Sequence, residues 1–126
     1  MSGIISYGTY VPKYRVRVSD IANFWKKNSE EIQRGLGLVE KSVASLDEDT
    51  TTLSIEAAQI AIESGKIPLE DIKALALGSE SHPYAVKPTS TIVGEILGIP
   101  NNYLAIDTQF ACKAATAAMR LISKMD

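Results

Sequence analysis

Short β-branched or apolar runs alternate along the chain with segments of helical spacing. Residues 3–11 read Gly-Ile-Ile-Ser-Tyr-Gly-Thr-Tyr-Val and stop at Pro12, which predicts a first strand. Ser19 caps a predicted helix over about 20–27, with Ile21, Phe24 and Trp25 along one face. Ser29 caps a short helix through Ile32 and Arg34, broken by Gly35 and Gly37. Residues 41–46 read as a short extended segment. After Asp47-Glu48-Asp49, Thr51 or Thr52 caps a stronger helix, in which Leu53, Ala57, Ile60, Ala61 and Ser64 recur at helical spacing and Gly65 takes the C′ position.

Pro68-Leu69-Glu70-Asp71 is a turn, and residues 74–77 form an apolar run suited to a strand covered on both faces. A polar loop from Gly78 to Pro83 leads on to a helix over about 89–97, closed by Gly98. Residues 103–107 make another buried strand, and a helix starts near Cys112. Strands alternating with helices define an α/β class. In the last helix Ala114, Ala115, Ala117, Ala118, Met119, Leu121 and Ile122 leave almost no polar stripe, so it is expected to be buried between layers. That expectation reads the chain as the front part of a longer polypeptide, or one piece of an assembly.

Composition narrows the function. Thirteen Lys plus Arg against 15 Asp plus Glu give a net charge of -2, with 45% hydrophobic and 22% charged residues. This is the balance of a globular domain, with no basic stripe to track nucleic-acid phosphates. No apolar run approaches the roughly 18 residues of a membrane span. The first 11 residues lack the basic start of a signal peptide, and the one cysteine excludes a disulfide framework or a Cys-rich zinc site. The expected setting is reducing and cytoplasmic.

Cys112 is the first chemical candidate. At a strand-to-helix junction its sulfur lies near unpaired backbone N–H groups and the positive helix end, an environment that favours thiolate and can hold an oxyanion. A small buried hydrophobe is the competing reading. Glu80 follows the 74–77 strand as Cys112 follows the 103–107 strand. If those strands are parallel neighbours, both groups emerge on one sheet edge, where α/β proteins bind ligands. A carboxylate there can deprotonate the carbon beside a thioester carbonyl, and a solvated loop glutamate is the alternative. His82, the sole histidine, reads as a loop residue hydrogen-bonded to its neighbours. Asp47-Glu48-Asp49 reads as acidic residues favouring a helix start, with no metal site expected. Lys13, Arg15 and Arg17 alternate with Tyr14, Val16 and Val18, as either a solvated strand face or one facing a ligand's phosphates.

Three motifs then carry a resemblance. Tyr10-Val11-Pro12-Lys13-Tyr14-Arg15-Val16, the stretch from Gly78 through His82-Pro83-Tyr84 to Thr89, and Phe110-Ala111-Cys112-Lys113-Ala114-Ala115 resemble archaeal-type hydroxymethylglutaryl-CoA synthase, of the thiolase-like superfamily. Gly35-Leu36-Gly37, Glu40-Lys41-Ser42-Val43 and Asp47-Glu48-Asp49-Thr50 follow the same order. The resemblance implies a thiolase-like layered fold, in its N-terminal part, with a mixed sheet and a buried Ala-rich nucleophile helix. It implies that Cys112 takes the acetyl group from acetyl-CoA and that Glu80 deprotonates the acetyl methyl for attack on acetoacetyl-CoA. The product is 3-hydroxy-3-methylglutaryl-CoA, a mevalonate-pathway precursor of isoprenoids.

Asn28 and Ser29 correspond to a stretch that approaches CoA in this family. CoA thioesters serve as substrates and no cofactor is implied. The implied partners are a second copy in a homodimer, thiolase and a small zinc-bearing protein. The family's second half supplies a histidine and most of the CoA pocket, so the 126 residues alone are expected to be inactive. A β-ketoacyl synthase III-like enzyme is the alternative within the superfamily, although its decarboxylative chemistry needs no base at Glu80. A non-catalytic piece serving only as an assembly interface is the alternative outside it.

Overall fold

The computed structural model describes residues 3–125. The expectations that touch Met1, Ser2 and Asp126 lie outside the described residues. The chain divides into two compact units, residues 11–48 and residues 1–10 with 49–126.

The 11–48 unit is built on a two-stranded antiparallel ribbon. β1 (Tyr14–Arg17) pairs with β2 (Glu40–Val43), Tyr14 opposite Val43 and Arg17 opposite Glu40. Arg15 lies on this ribbon with its Nε 3.6 Å from Glu40, so that cation faces a carboxylate of its own unit. α1 (Val18–Phe24) starts directly from β1, two residues before the predicted helix. Ser19 is therefore inside it and caps nothing; Val18 and Ala22 are the buried positions, while Phe24 and Trp25 are exposed and pack edge-to-face on each other. α2 (Ser29–Leu36) is capped by Asn28, not Ser29: Asn28 Oδ1 accepts from Glu30 N at 2.9 Å and Glu31 N at 3.2 Å. Gly37 ends it with φ +67°, a left-handed conformation that costs glycine nothing.

In the other unit the predicted strand over 3–11 does not form. Residues 3–10 have no ladder partner among the described residues, and Ile4 and Ile5 remain 79% and 83% exposed. A strand needs an edge to pair with, whatever its propensity. The segment is held instead by Ser6, whose hydroxyl donates to Ala61 O at 2.8 Å. α3 (Thr50–Gly65) is capped by Asp49, with Thr52 completing a capping box. Gly65 is the last residue of α3 and Lys66 takes the left-handed position. Glycine at 65 leaves room for Ser6: a Cβ there would lie 2.6 Å from Ser6 Oγ.

β3 (Ala74–Gly78), α4 (Thr89–Ile96), β4 (Leu104–Thr108) and α5 (Ala114–Ile122) follow in order. β3 and β4 are parallel neighbours, with Ala74 opposite Leu104, Leu77 opposite Asp107 and Gly78 opposite Thr108. The fold is α/β with one antiparallel and one parallel two-stranded sheet. The core of this unit gathers Leu77, Val93, Ile99, Ala114 and Ala118 with Thr51, Thr89 and Ser90. α5 is buried only along the Ala114–Ala118 line, and Met119 and Leu121 are exposed. Within this chain only that stripe of the Ala-rich helix is covered.

Candidate active site

The parallel pairing of β3 and β4 is what the proposed juxtaposition required, because it sends both chain exits to one sheet edge. Backbone pairing continues one residue past β3, with Ser79 N donating to Thr108 O at 3.1 Å. Glu80 comes next after Ser79. Its Oε1 accepts from Ala111 N at 2.5 Å, so the carboxylate reaches across to the turn that carries Cys112. Cys112 is exposed, as is Glu80. Within this chain the thiol is open to solvent.

The nucleophile turn departs from the expected simple helix start. Residues Ala111–Lys113 form a 3₁₀ turn, and α5 begins only at Ala114. Ala111 has φ +47°, a left-handed conformation disfavoured for a residue with a Cβ. Such conformations persist where surrounding bonds hold them, and two do so here. Glu80 takes the Ala111 N–H, and Thr108 Oγ1 donates to Ala114 O at 2.9 Å. Lys113 places its ammonium 4.5 Å from the centre of the Phe110 ring, which fixes the far side of the turn. Gly78 lets α5 come this close: a Cβ there would lie 2.5 Å from the Ala114 carbonyl carbon and 2.6 Å from Ala115 Cα.

The loop between Glu80 and α4 is anchored by Asp107. Pro88 precedes α4 and brings no side-chain acceptor, so the first helical N–H groups need one from elsewhere. Asp107, at the end of β4, accepts from Thr89 N at 2.5 Å and from Ser90 N at 2.9 Å. His82 Nδ1 lies 2.9 Å from Thr89 Oγ1 and 3.4 Å from Asp107 Oδ2, with its side chain only 3% exposed. Partial burial pushes the Asp107 carboxyl up. Hydrogen bonds from Ser90 and Thr89 and the nearby His82 outweigh it, and the net position is below the usual carboxylate range. The loop-histidine reading of His82 is borne out in its bonding. A cleft of about 300 Å³ is lined by His82, Tyr84, Val86, Asp107 and Gln109.

Asn28 and Ser29 belong to the 11–48 unit, where Asn28 is half-engaged as a helix cap. Asp47-Glu48-Asp49 does serve a helix start, through the Asp49 cap. Among the described residues no group of three or more His, Cys, Asp or Glu side chains is arranged to hold a metal ion. Sequence reasoning missed the strained Ala111 and the Asp107 anchor. The signal for the second was present: an aspartate ending an apolar strand, and a helix whose N-cap is proline.

Comparison with known proteins bears on this geometry. A family model described as hydroxymethylglutaryl-coenzyme A synthase N terminal matches residues 1–124. The hydroxymethylglutaryl-CoA synthase of Archaeoglobus fulgidus is 55% identical over 125 residues, 99% of this chain and 36% of the relative. That of Methanocaldococcus jannaschii is 51% identical over 121 residues, 96% of this chain and 35% of the relative. The chain thus spans about a third of the length of the curated relatives it matches. Among solved structures, MvaS in complex with 3-hydroxy-3-methylglutaryl coenzyme A superposes with a TM-score of 0.84 at 28% identity, over 96% of this chain and 30% of that one. A priming β-ketosynthase of the R1128 polyketide pathway superposes with a TM-score of 0.86 at 20% identity, over 95% of this chain and 36% of that one, which speaks for the fold alone. The fold is thiolase-like, and the chain belongs to the hydroxymethylglutaryl-CoA synthase family.

Proposed function

We propose that the full-length protein condenses acetyl-CoA with acetoacetyl-CoA to 3-hydroxy-3-methylglutaryl-CoA, with Cys112 as nucleophile and Glu80 as general acid/base. The observation that carries this reading is the Glu80 carboxylate bonded to the N–H of Ala111, the residue immediately before an exposed Cys112. Cys112 Sγ attacks the acetyl carbonyl, the bond to the CoA sulfur breaks, and CoA leaves as a thiol with the proton the cysteine gave up. Glu80 then takes a proton from the methyl of the acetyl-cysteine. The resulting enolate carbon attacks the ketone of acetoacetyl-CoA, and the alkoxide formed is protonated. Water finally cleaves the thioester to Cys112, freeing the product and the thiol.

A decarboxylating β-ketoacyl synthase generates its carbanion by losing carbon dioxide and has no use for a carboxylate base beside the thiol. Glu80 therefore favours the synthase reading over that alternative, and its bond to the turn that carries Cys112 favours it over a passive interface piece. Asn28 and Ser29 are assigned to CoA contact on the resemblance alone; the Asn28 amide N–H2 is the part its helix cap leaves available. A homodimer, association with thiolase and a small zinc-bearing protein, a cytoplasmic setting and a place in mevalonate synthesis complete the proposal. Among the described residues no helix is long and apolar enough to cross a membrane.

Intact-mass spectrometry of the full-length protein after incubation with acetyl-CoA tests the reading. One acetyl group on the parent and none on Cys112→Ala is expected, with release on adding acetoacetyl-CoA. An unmodified parent, or an equally modified Cys112→Ala, overturns it.

A further inference from the structure

The residue that carries the proposed base is held from both sides by hydroxyl groups that the reaction itself does not use. Ser79 precedes Glu80 and Ser81 follows it. Thr50, the first residue of α3, donates its hydroxyl to Ser81 O at 2.8 Å. Its oxygen also lies 3.4 Å from Ser79 Oγ, and Ser79 Oγ in turn accepts from Ser81 N at 3.1 Å. With Ser79 as donor to Thr50, each hydroxyl donates once and accepts once, and the three bonds form a ring that ties together Ser79 and Ser81, the two neighbours of residue 80.

Backbone pairing of Ser79 N to Thr108 O fixes the ring to the end of the sheet. The Glu80 side chain starts between the two tied residues and ends on Ala111 N. A glutamate side chain has three freely rotating bonds, so its carboxylate is placed only as well as its backbone is held. Thr50 is far from Glu80 in sequence, and its own helix does not need the hydroxyl. The α3 cap is made by Asp49 and Thr52, and Ser54 Oγ bonds the Thr50 backbone carbonyl at 2.6 Å.

We propose that Thr50 is a positioning residue for Glu80: its hydroxyl, closing a ring with Ser79 and Ser81, fixes residue 80 so that the carboxylate meets the Cys112 turn. This rests on the reading of Glu80 as the base that deprotonates acetyl-cysteine. The role predicts a split between the two half-reactions. Acetylation of Cys112 does not need Glu80 as a base, whereas proton removal from the acetyl methyl does.

The test compares the full-length parent with Thr50→Val and Thr50→Ser. Acetylation by acetyl-CoA is followed by intact mass, and deuterium uptake into the acetyl methyl is followed in D₂O. Thr50→Val keeps the shape of threonine without the hydroxyl. It is expected to acetylate within about threefold of the parent while exchange slows by roughly tenfold or more, since misplacing a catalytic group by about 1 Å costs up to ~100-fold. Thr50→Ser restores the donor and is expected to exchange within about threefold of the parent. If Thr50→Val does not fold, Ser79→Ala opens the same ring and is expected to show the same split. Parallel loss of both half-reactions, or Thr50→Val and Thr50→Ser alike in exchange, overturns the positioning role. A parent that acetylates but never exchanges removes the reading of Glu80 on which the role rests. That outcome is seen before any Thr50 variant is compared.

Discussion

Gly78→Ala is a severe test of how the site is assembled. Gly78 is the last residue of β3 and lies against the start of α5. An added Cβ would meet the backbone N of Ala115 and lie 2.5 Å from the Ala114 carbonyl carbon, where ordinary contact begins near 3.4 Å. Every atom it meets is backbone, so no side-chain rotation relieves the clash, and strand and helix must separate by roughly 1 Å. Overpacking of this kind costs typically ~1–3 kcal/mol. The second consequence is chemical. The turn carrying Cys112 leads directly into Ala114, so displacing α5 moves the thiol relative to the Glu80 carboxylate. A shift of about 1 Å in such a pair costs on the order of 100-fold in rate. Urea unfolding of the full-length protein reads the first effect and the rate of acetyl transfer from acetyl-CoA reads the second. A Gly78→Ala variant with parental urea midpoint and parental acetylation rate would refute the close packing of β3 on α5, and with it the geometry of the site.

Other consequences follow from local structure. Gly35 lies inside α2 with nothing within 4 Å of where a Cβ would sit, so Gly35→Ala is expected to raise stability by about 0.5–1 kcal/mol in urea unfolding. Gly37→Ala, at φ +67°, is expected to lower it by about 1 kcal/mol. Asn28→Ala removes a helix cap and should cost ~1 kcal/mol. Asn28→Ser keeps the cap, so a raised KM for acetyl-CoA in that variant isolates the proposed CoA contact. Asp107 is held below its unfolded-state pKa, near 3.9, so its stabilisation is present above about pH 4 and is lost as pH falls through the lowered value. Thermal melts from about pH 3 to pH 6 should therefore show a shallower acid limb for Asp107→Asn than for the parent.

Legibility in the sequence followed the range of the interactions. β3, α4 and β4 were readable to within a residue or so because their apolar runs and the stop at Gly98 are local signals. Glu80 and Cys112 could be placed on one sheet edge because parallel pairing carries both strand exits the same way. Residues 3–11 looked like a strand on β-branched content alone, but propensity does not supply a pairing edge. Ser19 and Ser29 looked like caps, yet the helices start at Val18 and behind Asn28, and which of two adjacent polar residues caps depends on backbone angles. Gly65 reads as a stop signal but sits one residue inside α3, where it leaves room for Ser6, a contact 59 positions away that no local pattern encodes. The same holds for Thr50 and Asp107, whose partners lie on other elements.

The central claim is that Glu80 acts as a base on a group carried by Cys112, and Glu80→Gln in the full-length protein tests it most directly. Glutamine keeps the shape and still offers a carbonyl oxygen to Ala111 N, but it cannot take a proton at neutral pH. The account predicts that the acetyl group still adds to Cys112 by intact mass within a few-fold of the parental rate. Methyl deuterium exchange and formation of the condensed product should fall by about 10²–10⁴-fold. A Glu80→Gln enzyme that condenses at the parental rate would contradict it.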